Sequence, residues 1–136
     1  MDTGTLDIRL NFVAGYDNEP YVIFKINVRA DDSGEPQPHE PSLKIWEGLI
    51  ADLLANPDMS GKGWKGLTRD YHELRGIWAD DCEDIEIDAA QYLSDLAYYV
   101  NQSFDYEETA EMLKSLRKFL SYAKEQGFQV TAKFID

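Results

Sequence analysis

Three stretches carry residues whose types and spacing could do chemistry. "GKGWKG", residues 61 to 66, has the G-x-G-x-x-G spacing with which a glycine turn brings a helix N-terminus to a pyrophosphate. That device needs a strand before the turn, and here the preceding run reads as a helix closed by Asn56 and Pro57. The phosphate-loop pattern fails too: Asn56 stands where its first Gly is required, and Lys62 is followed by Gly63 rather than Ser or Thr. What remains is a glycine-rich loop presenting Trp64, a candidate partner contact because large aromatics on loops commonly anchor interfaces.

"DYHELRG", residues 70 to 76, begins like the zinc pattern H-E-x-x-H, but Gly76 occupies the second histidine position. Arg69, Asp70, His72, Glu73 and Arg75 cluster there, a mixture that on a short helix forms exposed pairs. The chain holds no G-x-S-x-G and no Cys/His pair at a recognisable spacing, so the sequence carries no expectation of catalysis or of a cofactor. The rival reading is a small enzyme or ligand-binding domain built from Trp64 to Trp78, with His72 as its titrating group.

The third stretch is acidic. From Gly76 to Leu113 there is no Lys or Arg, while eleven acids occur. Asp88 and Asp105 read as helix N-caps, and Glu107, Glu108 and Glu111 fall in the first turns of a helix with Lys114, Arg117, Lys118 and Lys124 later, as the helix dipole favours. Six acids are left over: Asp80, Asp81, Glu83, Asp84 and Glu86, with Asp95 on the next helix. Carboxylates this close repel one another unless solvent, a cation or a basic partner screens them. A solvated surface, a partner site and a calcium site are the three readings of the cluster. Asp80, Cys82, Asp84, Glu86 and Asp88 alternate like EF-hand ligands, but Ile85 replaces the required Gly and Gln91 the terminal Glu, so no metal is expected. Negative neighbours disfavour a Cys82 thiolate, which makes it a poor nucleophile.

These stretches sit in a chain of 136 residues that is 43% hydrophobic and carries a formal net charge of -13. Such a chain can bury a core as one compact domain, residues 1 to 136. Its charge repels nucleic acid and anionic membrane and attracts basic proteins. The single cysteine and the acidic N-terminus, without an apolar run, suggest a cytoplasmic protein with neither a signal peptide nor a membrane span.

The positioning elements follow from hydrophobic period. Residues 5 to 13 alternate with Leu6, Ile8, Leu10 and Phe12 on one face, and "YVIFKINVR" does so with Val22, Phe24, Ile26 and Val28, which predicts an N-terminal antiparallel β-hairpin. A Pro-rich acidic loop leads to a helix predicted from Leu43 to about Ala55. A short helix is predicted from Thr68 to Arg75, and "ADDCEDIEI" reads as loop or edge strand. Asp88 with Gln91 predicts a capped helix to about Gln102, with Leu93, Leu96, Ala97 and Val100 inward. Asp105 with Glu108 predicts another, to about Gln126, with Ala110, Leu113, Leu116, Leu120 and Ala123 inward, stopped by Gly127. "FQVTAKF" closes as a strand with Phe128, Val130, Ala132 and Phe134 inward. The expected class is α+β, a small sheet covered by about three helices on one face.

Charge and size together lead to an expected function class: a non-enzymatic acidic protein that blocks a basic, nucleic-acid-handling protein partner by occupying a groove meant for phosphates. Toxin-immunity, anti-CRISPR and anti-restriction proteins share this size and charge, an analogy that involves no motif. The candidate contacts are Asp80, Asp81, Glu83, Asp84, Glu86, Asp95, Tyr98 and Trp64.

Overall fold

In a computed structural model, residues 9–13, 15, 19–27, 42–55, 64–73, 76–78 and 85–135 are described. Their strands are β1 (Asn11–Phe12), β2 (Tyr21–Asn27), β3 (Ser42–Trp46), β4 (Ile85–Ile87) and β5 (Gln129–Ile135). Their helices are α1 (Glu47–Leu53), α2 (Gly66–His72), α3 (Ala89–Leu96) and α4 (Glu107–Gln126), with 3-10 turns at Gly76–Trp78 and Ala97–Tyr99. The class is α+β, as the hydrophobic periods predict.

The strands form one mixed sheet in the order β1-β3-β2-β5-β4. β2 lies at its centre because its alternation is the most regular: Val22, Phe24 and Ile26 are wholly buried, while Tyr21, Ile23 and Lys25 between them are half-buried. Register carries that apolar face across the sheet. Val22 lies opposite Ile45 and Phe134, Phe24 opposite Leu43 and Ala132, and Ile26 opposite Val130. Helices α1 and α4 pack on this face through Leu49, Ile50 and Leu53 and through Met112, Leu116, Phe119 and Leu120. Helix α3 packs on α4, and α2 on α3, so α2 lies beyond the first helical layer.

Four expectations need correction. The first two strands are not hairpin partners: β1 runs parallel to β3, and β2 lies antiparallel between β3 and β5. Leu6, Ile8 and Val28 lie outside the described residues, while Leu10 is half-buried and Phe12 buried. The segment predicted as helix from Leu43 starts as a strand, because Ser42 to Trp46 alternate with Leu43 and Ile45 buried, and helical period takes over at Glu47. Helix α3 is shorter than predicted and rotated, with Tyr92, Asp95 and Leu96 buried and Tyr99 beyond them, whereas Ala97 and Val100 are exposed. In α4, Ala110 is exposed and the buried stripe includes Thr109, Met112 and Phe119.

Other local signals hold. Asp88 caps α3 by accepting the Gln91 N–H at 3.1 Å. Gly127 ends α4 at φ 74°, with Phe128 N–H donating to the Ala123 carbonyl at 2.9 Å and Gly127 N–H to that of Lys124, the paired bonds of a Schellman turn. Inward Val130 and Ala132 are buried, with Phe128 and Phe134 half-buried at either end of the row. Strand β4 is the edge strand that the isoleucines of "ADDCEDIEI" allowed.

Candidate partner-binding surface

The acids selected from the sequence do not form one group. Asp80, Asp81, Glu83 and Asp84, with Cys82, lie outside the described residues. Glu86 is exposed on β4, and Asp88 is exposed while capping α3. Asp95 is the correction: it is only 8% exposed and is not a surface contact. Its carboxylate accepts the Thr68 N–H and the Thr68 hydroxyl, both at 2.9 Å, and Tyr99 Oη lies 2.6 Å from that hydroxyl. With the Thr68 proton directed to Asp95, Tyr99 donates to Thr68, and the chain of bonds is satisfied. Burial pushes the Asp95 carboxyl above its ordinary value, opposed by the two Thr68 bonds and by Lys65, so desolvation wins.

This clasp explains the last glycine of "GKGWKG". Gly66 opens α2 at φ 57°, and a Cβ there would lie 2.9 Å from the Asp95 Cβ, 3.1 Å from the Gln91 carbonyl oxygen and 3.2 Å from the Tyr92 Cα. Only glycine combines that backbone conformation with so close a crossing of two helices. A second link runs beside it, the Tyr92 hydroxyl donating to buried Asp70 at 2.5 Å. Burial first, and then the Asp70 charge, push the Tyr92 phenol upward.

Trp64 and His72 pack with their rings tilted 40° and ring centroids 4.9 Å apart. Trp64 is half-buried, and His72 Nε2 lies 2.9 Å from the Leu54 carbonyl, where an N–H donates to the C-terminal end of α1. Tyr71 and Trp78 extend the row edge to face, 5.1 Å apart, and Trp78 reaches Phe134 of the sheet at 6.2 Å. In this arrangement His72 closes a helix.

The junction between α3 and α4 is built differently. Tyr98, Val100 and Tyr106 are 45%, 44% and 45% exposed, and these are the exposed large apolar side chains among the described residues. Tyr98 packs edge to face on Tyr99 at 5.0 Å, which the clasp holds, and Tyr106 packs on Trp46 at 5.6 Å. Asp105 and Glu107 flank Tyr106 and are exposed.

Asp105 does not cap α4 as predicted: the N-cap residue is Tyr106, without a side-chain cap bond, and Asp52 of α1 instead anchors the residues that lead into the helix. Its carboxylate accepts the N–H groups of Asp105 and Tyr106 at 3.0 and 2.9 Å and the Thr109 hydroxyl at 2.6 Å. Burial raises the Asp52 carboxyl, but the three hydrogen bonds outweigh it and hold it below its ordinary value. Glu108, the other half of the expected box, instead pairs with Arg9 at 2.6 Å, and Glu111 lies 3.5 Å from the same guanidinium.

Asp52, Thr68 and Tyr99 are the positioning residues that local sequence reasoning missed. Asp52 and Thr68 carry no sequence signal, because their partners are 27 to 57 residues away. Tyr99 carried one: Tyr92, Asp95, Leu96 and Tyr99 stand at helical spacing. Among the described residues no group of three or more His, Cys, Asp or Glu could hold a metal ion, and no helix is long and apolar enough to cross a membrane. Comparisons with protein-family models, with curated proteins and with solved structures find no match to this chain.

Proposed function

We propose that this chain is a non-enzymatic acidic binding protein that engages and blocks a basic protein whose own ligand is nucleic acid. The observation that carries the reading is the α3 to α4 junction. Two exposed tyrosines and a valine stand there beside Asp105 and Glu107, inside the stretch from Gly76 to Leu113 that has no Lys or Arg. Tyrosine offers contact area at little entropic cost and a π face to guanidinium groups, while the carboxylates offer charge-assisted bonds. Acids alone would suit any cation. Acids beside rigid aromatics suit an arginine-rich protein surface.

Glu86, exposed on β4 near the C-terminal end of α4 and away from this junction, and Asp80, Asp81, Glu83 and Asp84 join the proposal on charge alone. Asp95 leaves it, because its carboxylate is spent on Thr68. Trp64, half-buried against His72, is exposed to a smaller fraction than Tyr98 or Tyr106. The alternative of an enzyme or ligand site with His72 as its titrating group loses support from the hydrogen bond of His72 to Leu54.

The test is capture of partners by the full chain at low and high salt, with a variant carrying Asp105→Lys and Glu107→Lys. The expected result is recovery of a basic nucleic-acid-binding protein that washes off as salt rises and is lost with the variant. Capture of nothing, or of a protein indifferent to both salt and charge reversal, overturns the reading.

A further inference from the structure

The side of the sheet turned away from α1 and α4 collects basic residues. Register places Ile23 of β2 between Lys44 of β3 and Lys133 of β5, so the two lysines flank it about 10 Å apart, and Lys25 follows two residues along β2 on the same face. Among the described residues neither Lys44 nor Lys133 has an ion pair or a side-chain hydrogen bond. The one acid that the described strands add to this face is Glu86, exposed opposite Thr131 at the β4 edge and likewise without an ion pair. Lys44, Lys133 and Ile23 are half-buried, as expected where lysine stems lie along an apolar surface and their heads stay in water.

Three kinds of occupant carry the opposite charge. A flat sheet face is no cradle for a small anion, which is bound in concave sites. A nucleic acid continues its charge past the lysines and onto a chain whose net charge is -13. A protein surface with two acids beside apolar side chains fits better, because it answers Lys44 and Lys133 and covers Ile23 in one contact. The chain presents such a surface itself, at the junction of α3 and α4. Tyr106 is extended at φ -103° and ψ 136°, so the Asp105 and Glu107 side chains leave one side of the chain, about 7 Å apart. Flexible lysine stems absorb the difference in spacing. Tyr98 and Val100, exposed at the same junction, offer apolar cover for Ile23.

We propose that this sheet face takes the α3 to α4 junction of a second copy of the chain. Pairing of two identical sheet faces is disfavoured, since it sets lysines against lysines. Helix α4 packs on the opposite side of the sheet, so a chain cannot bring its own junction to its own lysines, and the contact runs head to tail from one copy to the next. At physiological salt, charges more than about 8 Å apart are screened, which mutes the repulsion between two net charges and spares the contact itself. Such self-association needs no foreign partner and so goes beyond the acidic-binder reading, although both use the junction: a basic partner competes with a neighbouring copy for Asp105 and Glu107.

Sedimentation velocity on the purified full chain decides it. In about 0.15 M sodium chloride the chain should associate as its concentration rises to about 0.5 mM, and the association should weaken at least ten-fold at about 0.5 M salt. Lys44→Glu with Lys133→Glu should abolish it, as should Asp105→Lys with Glu107→Lys, once thermal melting shows both variants folded; Lys44→Gln with Lys133→Gln replaces the first if it is not. Mixing the two variants should restore association, because each keeps the surface that the other has lost, and a folding defect is not repaired that way. A parent chain that stays monomeric, variants that associate unchanged, or a mixture that does not reassemble overturns the proposal. Binding of a single-stranded oligonucleotide by a monomeric parent, lost with Lys44→Glu and Lys133→Glu, also overturns it and assigns the face to nucleic acid. Partner capture separates the two readings. A monomeric parent that captures a basic protein leaves the acidic-binder reading standing and this one wrong, and an associating parent that captures none does the reverse.

Discussion

At the scale of single residues, the buried carboxylate of Asp95 has the most to say. The folded protein holds its proton more tightly than an unfolded chain would, because burial outweighs its hydrogen bonds. Stability from neutral Asp95 is therefore present below the ordinary value of 3.8 and lost as pH rises through the raised folded value. Urea denaturation at a series of pH values should show that loss in the parent chain and a smaller one in Asp95→Asn. Asp95→Ala, which strands the Thr68 N–H and disrupts the Tyr99 link, should cost about 2 kcal/mol at neutral pH. Gly66→Ala should cost at least as much, on the order of 2–3 kcal/mol, from the positive φ and the 2.9 Å approach combined. A melting temperature unchanged in G66A would show that α2 does not cross α3 so closely. Asp88 could be assigned from sequence because its partner is three residues away. Asp95 was misassigned because an acid on a helix reads as exposed unless the residue that satisfies it is known, and Thr68 is 27 residues distant.

At the scale of elements, α4 was read correctly in extent and wrongly in its start. Its stripe of Leu113, Leu116, Leu120 and Ala123 repeats over about three turns, which fixes the type of the element, and Gly127 fixes its end. The N-terminus depends on α1, since Asp52 ties down Asp105, Tyr106 and the Thr109 hydroxyl from across the chain. Asp52→Ala should therefore lower global stability by about 1–2 kcal/mol, as for loss of a strong N-cap. Hydrogen exchange should show Asp105 to Thr109 losing protection before the centre of α4. Its depressed carboxyl adds stability that is present above 3.8 and lost as pH falls through the folded value, the reverse of Asp95. Strand β3 shows why boundaries were harder. Leu43, Ile45, Trp46, Leu49 and Ile50 satisfy both periods over so short a window, and the pairing with β1 and β2 selects the strand. In α3 the buried face carries Tyr92, Asp95 and Tyr99, so counting aliphatic residues alone turned the helix toward Val100.

The whole molecule carries a net charge of -13, and three of its lysines share one face of the sheet. Lys25, Lys44 and Lys133 occur on the side of the sheet turned away from the helices, where Ile23 lies between Lys44 and Lys133 in register. Asp105 and Glu107 stand exposed at the start of α4. Self-repulsion at this charge should raise the melting temperature as sodium chloride goes from about 10 mM to 0.5 M, while capture of a basic partner weakens over the same range. Opposite responses of stability and binding to one variable would tie both to the same acids. Composition sufficed for the sign of the field and the period of apolar residues for the α+β class. Which acids remain at the surface depends on contacts across the fold.

The sheet order has one more consequence, for the time at which the chain can fold. β5 comes after every other described element in the sequence, yet it lies between β2 and β4 and pairs with residues along the whole of β2. During synthesis from the N-terminus, β2 and β3 can pair early, but among the described residues β4 has no strand partner until Gln129 to Ile135 leave the ribosome. Until then the apolar side of β2 has a partner on one flank only, and a nascent chain stalled before Gln129 would offer that flank to chaperones or to other chains.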